Sequence, residues 1–211
     1  MVREETRSGA HAAPGADASP VAFRAAVAGM HAAVLRPEVF CEEMPAPQRI
    51  APYASALSAD VTLDDADVGT GRLILLHDPE GHEAWGGGTF RCVAYARAEV
   101  DLDQAGDEML GEVGWSWLTE ALASHGAAHT AISGTVTRVT SESFGAMAED
   151  KGTAQLEIRA SWTPVETDGL IEMSPHVEAW AELLCTAAGL PPVPDGVAVM
   201  PSHRGQRGSA S

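Results

Sequence analysis

The side chains of this chain best suited to chemistry sit in the run HDPEGHE. His77 and His82, with Asp78, Glu80 and Glu83 between and beside them, offer the imidazole nitrogens and carboxylate oxygens that bind divalent metals. The spacing matches no established ligand motif and HExxH is absent, so an acidic turn with two surface histidines explains the same letters. His77, His82 and Glu83 are the candidate ligands, and no resident metal or cofactor is expected. His125 and His129 are four apart, but Gly126 ends a helix between them, so they need not share a face. Ser116 in GWSWL has the look of a nucleophile elbow, yet Leu118 stands where that turn requires glycine, and the context is helical. Cys41 is flanked by Glu42 and Glu43, whose charges oppose thiolate formation. Those two carboxylates, adjacent on an extended strand, point to opposite faces and cannot act as a facing pair. Gly86 to Gly88 lack the Lys-Ser/Thr end of a phosphate loop and open onto a strand, as a bulge or turn would. No catalytic set converges, and a non-enzyme is the expectation.

A second group of residues is suited to recognition. Between Phe90 and Val100 the even positions are small or apolar, while the odd ones include Arg91, Tyr95 and Arg97. Between Thr153 and Thr163, Ala154, Leu156, Ile158, Ala160 and Trp162 alternate with Gln155, Glu157 and Arg159. Such alternation describes strands with one face in the core and the other open to water or a partner. Arginine and tyrosine are enriched where proteins meet. Trp115 and Trp117 lie about 200° apart on a helix, so they cannot share one buried stripe, and one of them is expected at the surface or an interface. The expected binding surface is therefore Arg91, Tyr95, Arg97, Arg159 and Trp115, with cross-strand Arg-Glu pairing on a solvated face as the plain alternative.

Ser19 and Pro20 open a helix whose Phe23, Val27, Met30 and Val34 recur at helical spacing until Arg36-Pro37. An edge strand over Glu38 to Met44 is followed by the loop PAPQRIAP, an alternating strand from Tyr53 to Leu63, an acidic turn from Asp64 to Gly71, and a strand GRLILLH apolar on both parities. The strand from Phe90 follows. Asp107 to Ser124 carries Leu110, Val113, Trp117, Leu118, Ala121 and Leu122 on one helical stripe. His129 to Phe144 and Thr153 to Thr163 make a hairpin, and Ser174-Pro175 starts a last helix with Val177, Trp180, Ala181, Leu184 and Ala188 on its buried side. The order α-β-β-β-β-α-β-β-α predicts an α+β two-layer sandwich, a mostly antiparallel sheet of about six strands with three helices on one face.

The chain has 211 residues, with 45% hydrophobic and 5% aromatic, which suits one domain. Residues 1–20, charged and rich in small residues, are expected to be a disordered leader, 21–190 one α+β domain, and 191–211 a proline- and glycine-rich tail that packs near Val197 to Met200 and then frays. A formal charge of −17, with a single lysine, repels phosphate backbones and anionic membranes, so nucleic acid and membrane are excluded as expected partners. The longest apolar tract, Val21 to Leu35, falls short of a bilayer span. Three cysteines without CxxC spacing argue against a disulfide framework and for a reducing cytoplasm.

Taken as a series, RPEVFCEEMPAPQRIAPYASALSADV, GRLILLHDPEGHEAW, EVGWSWLTEAL, SGTVTRVTSESFG and LEIRASWTP resemble an actinobacterial family known only as a domain of unknown function (number 3000), over roughly Phe23 to Pro164. The resemblance implies a cytoplasmic bacterial protein without assigned activity. The element order, minus one strand, is also similar to the secretion-chaperone-like α/β fold, whose members are often acidic dimers that bind other proteins; fold likeness alone does not set function. The expected role is a protein-binding or adaptor module acting on a protein partner or as a homodimer, and the alternative is an enzyme built on the His77 to Glu83 loop.

Overall fold

Residues 19–147, 149 and 152–191 are described by a computed structural model. The first helix, α1 (Val21–Ala32), buries Phe23, Ala26 and Met30. Pro20 itself takes the N-cap position, one residue later than expected. The helix stops at Ala32 instead of running to Arg36-Pro37, which leaves Val34 60% exposed outside the stripe assigned to it. Then come β1 (Val39–Met44), β2 (Tyr53–Leu63), β3 (Ala66–His77) and β4 (Phe90–Val100). β3 starts five residues earlier than the GRLILLH run. Asp64 and Asp65 both have positive φ, 50° and 64°, and form a two-residue hairpin loop between the paired Leu63 and Ala66. The expected acidic turn is thus only two residues long, and Ala66 to Thr70 continue the ladder.

A one-turn helix, α2 (Leu102–Ala105), which the sequence does not announce, precedes α3 (Leu110–Ser124), the helix expected from Asp107. β5 (His129–Ser141) and β6 (Thr153–Pro164) form the expected antiparallel pair, and α4 (Ser174–Ala187) closes the described fold. Ser174 is the first residue of α4, and its hydroxyl donates to the Gly29 carbonyl at 2.9 Å, tying α4 to α1. The leader, apart from its last two residues, and the tail beyond residue 191, including the expected packing of Val197 to Met200, lie outside the described residues.

All strand pairings are antiparallel, in the order β1-β2-β3-β4-β6-β5. The fold is α+β, a six-stranded open sheet with its longer helices against one face, as the alternation predicted. That inner face carries Leu57, Ala59 and Val61 from β2, Leu73 and Leu75 from β3, Phe90, Cys92, Ala94 and Ala96 from β4, and Leu156, Ile158 and Trp162 from β6, all buried. Small residues at its centre let α4 come close. A Cβ on Gly71 would lie 2.7 Å from Leu184 Cδ2 and 2.8 Å from the Tyr95 carbonyl. Lying between α1 and α3, α4 buries nine of its residues, more than a single stripe would provide. Its Trp180 indole donates to the Tyr95 carbonyl at 3.2 Å, and the Trp162 indole donates to Nδ1 of buried His176 at 3.1 Å. Each large apolar side chain buried here is worth about 1.5–3 kcal/mol of transfer free energy, so this layer dominates stability.

Candidate functional site: the open face of the sheet

The opposite parity of the same strands faces away from the longer helices. Register fixes which residues are neighbours there. One cross-strand row reads Glu42, Ser58, Arg72, Tyr95, Arg159, Thr135; the next reads Phe40, Asp60, Thr70, Arg97, Glu157, Thr137; a third reads Met44, Ala56, Ile74, Val93, Ser161, Ser133. Across β3, β4, β6 and β5 the surface dips into a shallow depression of about 710 Å3 that includes Arg72, Ile74, Tyr95, Arg97, Ser133 and Arg159.

The centre of this depression is a small charged network. The Arg159 guanidinium lies 5.2 Å from the centroid of the Tyr95 ring and 2.7 Å from a Glu157 carboxylate oxygen, so one arginine stacks and pairs at once. Burial first, then the charge of Glu157 and a hydrogen bond to it, hold the Tyr95 phenol above its ordinary pKa. Among the described residues neither Arg72 nor Arg97 has a carboxylate within 4 Å. The lining of the depression thus gathers three arginines in a chain carrying −17, while Glu42 and Asp60 stand at the border of the same face.

Arg91 has the expected parity but a different fate. It is 7% exposed. Nη1 donates to the Ala131 carbonyl at 2.9 Å and the Thr163 hydroxyl at 3.0 Å, and Nη2 donates to the Ser161 hydroxyl at 2.6 Å. The connection from β3 to β4 covers this end of the sheet: the Thr163 hydroxyl in turn donates to the Trp85 carbonyl at 2.7 Å, and a Cβ on Gly88 would meet Thr163 Cγ2 at 2.5 Å. Gly86 and Gly87, with φ of 70° and 82°, provide the turn, so the glycine run serves loop packing against the open face. The Arg91 charge is thus spent inside the protein, held by neutral acceptors, and burial lowers its pKa.

The expected surface therefore divides. Tyr95, Arg97 and Arg159 come together. Arg72 joins them, a residue that the run GRLILLH, apolar on both parities, does not single out. Trp115 belongs to the other layer: it lies half-buried in α3 against Gly134, where its Cζ3 would be 2.7 Å from an added Cβ, and Trp117 is likewise half-buried. Neither tryptophan can share a surface with Tyr95.

The candidate metal ligands are divided between the core and an exposed loop. His77 is 4% exposed on the inner face, its ring stacked 4.1 Å from Phe90 and 5.9 Å from Phe23, with Nδ1 donating to the Thr89 carbonyl at 3.0 Å. Burial above all lowers its pKa. His82 is exposed on the loop, stacked on Trp85, its Nδ1 accepting from the Ala84 amide, and Glu83 starts the single 3-10 turn there. His125 lies 3.6 Å from Glu178 of α4, and His129 bonds the Ala127 carbonyl through Nδ1. Among the described residues no group of three or more His, Cys, Asp or Glu side chains is arranged to hold a metal ion. Ser116 donates to the Val113 carbonyl of its own helix. Cys41, half-buried, has its thiol pushed up to about 11 by burial and then by Glu42, and burial pushes the Cys185 thiol up to about 12. Among the described residues no helix is long and apolar enough to cross a membrane.

A family model described as "Protein of unknown function (DUF3000)" matches residues 19–198. Neither the curated proteins nor the solved structures gave a match.

Proposed function

The chain belongs to this family of proteins of unknown function, and from that starting point we propose that it is a non-enzymatic protein-binding module whose recognition surface is the open face of the sheet. The observation that carries this reading is the Arg72–Tyr95–Arg159 row with Arg97 beside it, set in a shallow depression on a face that the longer helices leave bare. Planar guanidiniums next to a tyrosine ring offer bidentate hydrogen bonds, stacking and a locally positive field, which together suit a carboxylate-bearing protein surface. A reducing cytoplasm is the compartment we infer, since Cys41, Cys92 and Cys185 are all free thiols.

Two charge reversals test the reading. Arg97→Glu with Arg159→Glu changes the field while leaving the inner face intact; Arg91 must be left alone because it is buried. Wild type and variant, purified side by side from the native host and matched for thermal stability, are expected to differ in their co-purifying proteins, the variant losing the most acidic ones. Identical sets of partners at several salt concentrations would overturn the proposal.

A further inference from the structure

Building on the recognition reading above, we infer that the open face is covered by a second copy of this chain, paired face to face about a two-fold axis that runs along the strand direction over β3. Charge placement on the face dictates this pairing. On this face the carboxylates of Glu42 and Asp60 are exposed on β1 and β2, at one border, while Arg97 and Arg159 stand on β4 and β6. In sheet order Asp60 is one strand to one side of β3 and Arg97 one strand to the other, in the same cross-strand row. Glu42 and Arg159 are likewise two strands away on opposite sides, in the adjacent row.

A two-fold rotation about β3 exchanges the two sides and keeps the rows. Asp60 of each copy then meets Arg97 of the other, and Glu42 meets Arg159, so each pairing occurs twice, as an isologous interface requires. The third row supplies the apolar part: half-buried Ile74 meets its own copy next to the axis, with half-buried Val93 beside it. Phe40, 64% exposed on β1, adds an aromatic side chain at the rim that a monomer leaves in water.

The size of the face sets how tight the pair can be. Five overlapping strands at about 4.8 Å spacing and three rows about 7 Å apart give a footprint on the order of 500 Å2 per copy, near the lower end for specific association. Arg72 stands by the axis and meets its own copy, a local repulsion. Both features predict a reversible dimer, and salt weakens it, since four pairs of opposite charges, two of each kind, form across it.

The test uses the full chain in analytical ultracentrifugation over a concentration series, at low and high salt, with thermal melts to check folding. The wild type is expected to reach twice the monomer mass, with a midpoint that moves up at least tenfold in high salt. Asp60→Arg and Arg97→Asp are each expected to abolish dimerisation, and the double variant, which exchanges the two charges, to restore it. A wild type that stays monomeric, a dimer indifferent to both reversals, or a double variant no better than its parents would overturn the inference. Loss of acidic co-purifying proteins from a monomeric Arg97→Glu, Arg159→Glu variant, with a wild type that is also monomeric, would sink the dimer while leaving the recognition reading in place. A dimer that forms through other residues, with partners unaffected by the arginines, would remove both.

Discussion

On β4, Cys92, Ala94 and Ala96 are at most 3% exposed beneath α4, whereas Val93, Tyr95 and Arg97, which alternate with them, are only half-buried. One backbone serves two surfaces with different demands. The inner residues are small because a helix must approach closely, and the neighbouring Gly71 has no room for a Cβ between Leu184 and the Tyr95 carbonyl. The outer residues include the long side chains of Tyr95 and Arg97, and among the described residues the β3–β4 connection covers one end of this face. Even the buried polar groups follow this division. His176 on the inner side is held neutral by its surroundings, while Arg91 on the outer side keeps its charge among carbonyl and hydroxyl oxygens. Stability should therefore reside in one parity of the strands and recognition in the other, and substitutions can probe that separation.

The largest effect is expected from Trp162→Ala. Trp162 is fully buried on β6 and donates to His176, so truncation leaves a cavity and an unmet acceptor. A loss of about 3–5 kcal/mol is expected from urea unfolding. Thr135→Ala, on the exposed side of the adjacent β5, should stay within about 0.5 kcal/mol. Equal losses at the two sites would break the comparison.

Acid should act through the inner face next. The Trp162 N–H needs a lone pair on His176 Nδ1, so the bond demands a neutral imidazole. Burial, helped by the neighbouring His129, lowers the His176 pKa to about 4 from its ordinary 6.5. Above pH 6.5 neither the folded nor the unfolded chain holds this proton, and the group contributes nothing to the pH dependence. Between 6.5 and about 4 the unfolded chain takes up a proton that the folded one refuses, so stability falls with falling pH, by about 3 kcal/mol in all, and then levels off. Burial lowers the His77 pKa too, which adds to the slope in the same direction. His176→Gln, which keeps an acceptor for Trp162, should flatten the acid limb in urea titrations at a series of pH values. A wild type as stable at pH 4.5 as at pH 7.5 would refute the argument.

The parity of these faces was legible in the sequence because Phe90 to Val100 and Thr153 to Thr163 alternate without interruption, and side-chain direction in a strand follows parity alone. What lay hidden depended on tertiary contact. Arg91 reads like Arg97, and only the packing of the Glu83–Trp85 turn on Thr163 distinguishes a buried guanidinium from a free one. Arg72 does not stand out beside its apolar neighbours Leu73, Ile74, Leu75 and Leu76, and only the fold shows that the cover on the outer side reaches Leu76 and leaves Arg72 exposed. The helical angle that sets Trp115 apart from Trp117 cannot reveal that Gly134 on β5 provides the space Trp115 fills. The start of β3 was missed because Asp64-Asp65 takes positive φ at both residues, a conformation more usual for Asn-Gly or Asp-Gly.

The smallest effect belongs to the outer face, and it can be read without relying on stability. Glu157 acts on the Tyr95 phenol, raising its pKa, and pairs with Arg159; the Arg159 and Glu157 side chains are 57% and 17% exposed. An ion pair with its guanidinium in water contributes only about 0–1 kcal/mol, so Glu157→Gln, which keeps a polar group of the same shape, should scarcely alter the unfolding curve. The Tyr95 phenol, however, is raised by burial, by the Glu157 charge and by the hydrogen bond to it, and opposed by Arg97 and Arg159. Removing the carboxylate's charge and its strong acceptor leaves burial against two arginines, so the phenol should titrate at lower pH. Tyr53 is the only other tyrosine, and a Tyr53→Phe background isolates the phenolate absorbance of Tyr95. A downward shift with unchanged stability is the signature of a face whose charges act on each other without holding the fold together. A stability loss approaching that of Trp162→Ala, or an unmoved Tyr95 titration, would mean that the outer network is part of the core after all, and that the two faces of the sheet do not divide stability from recognition.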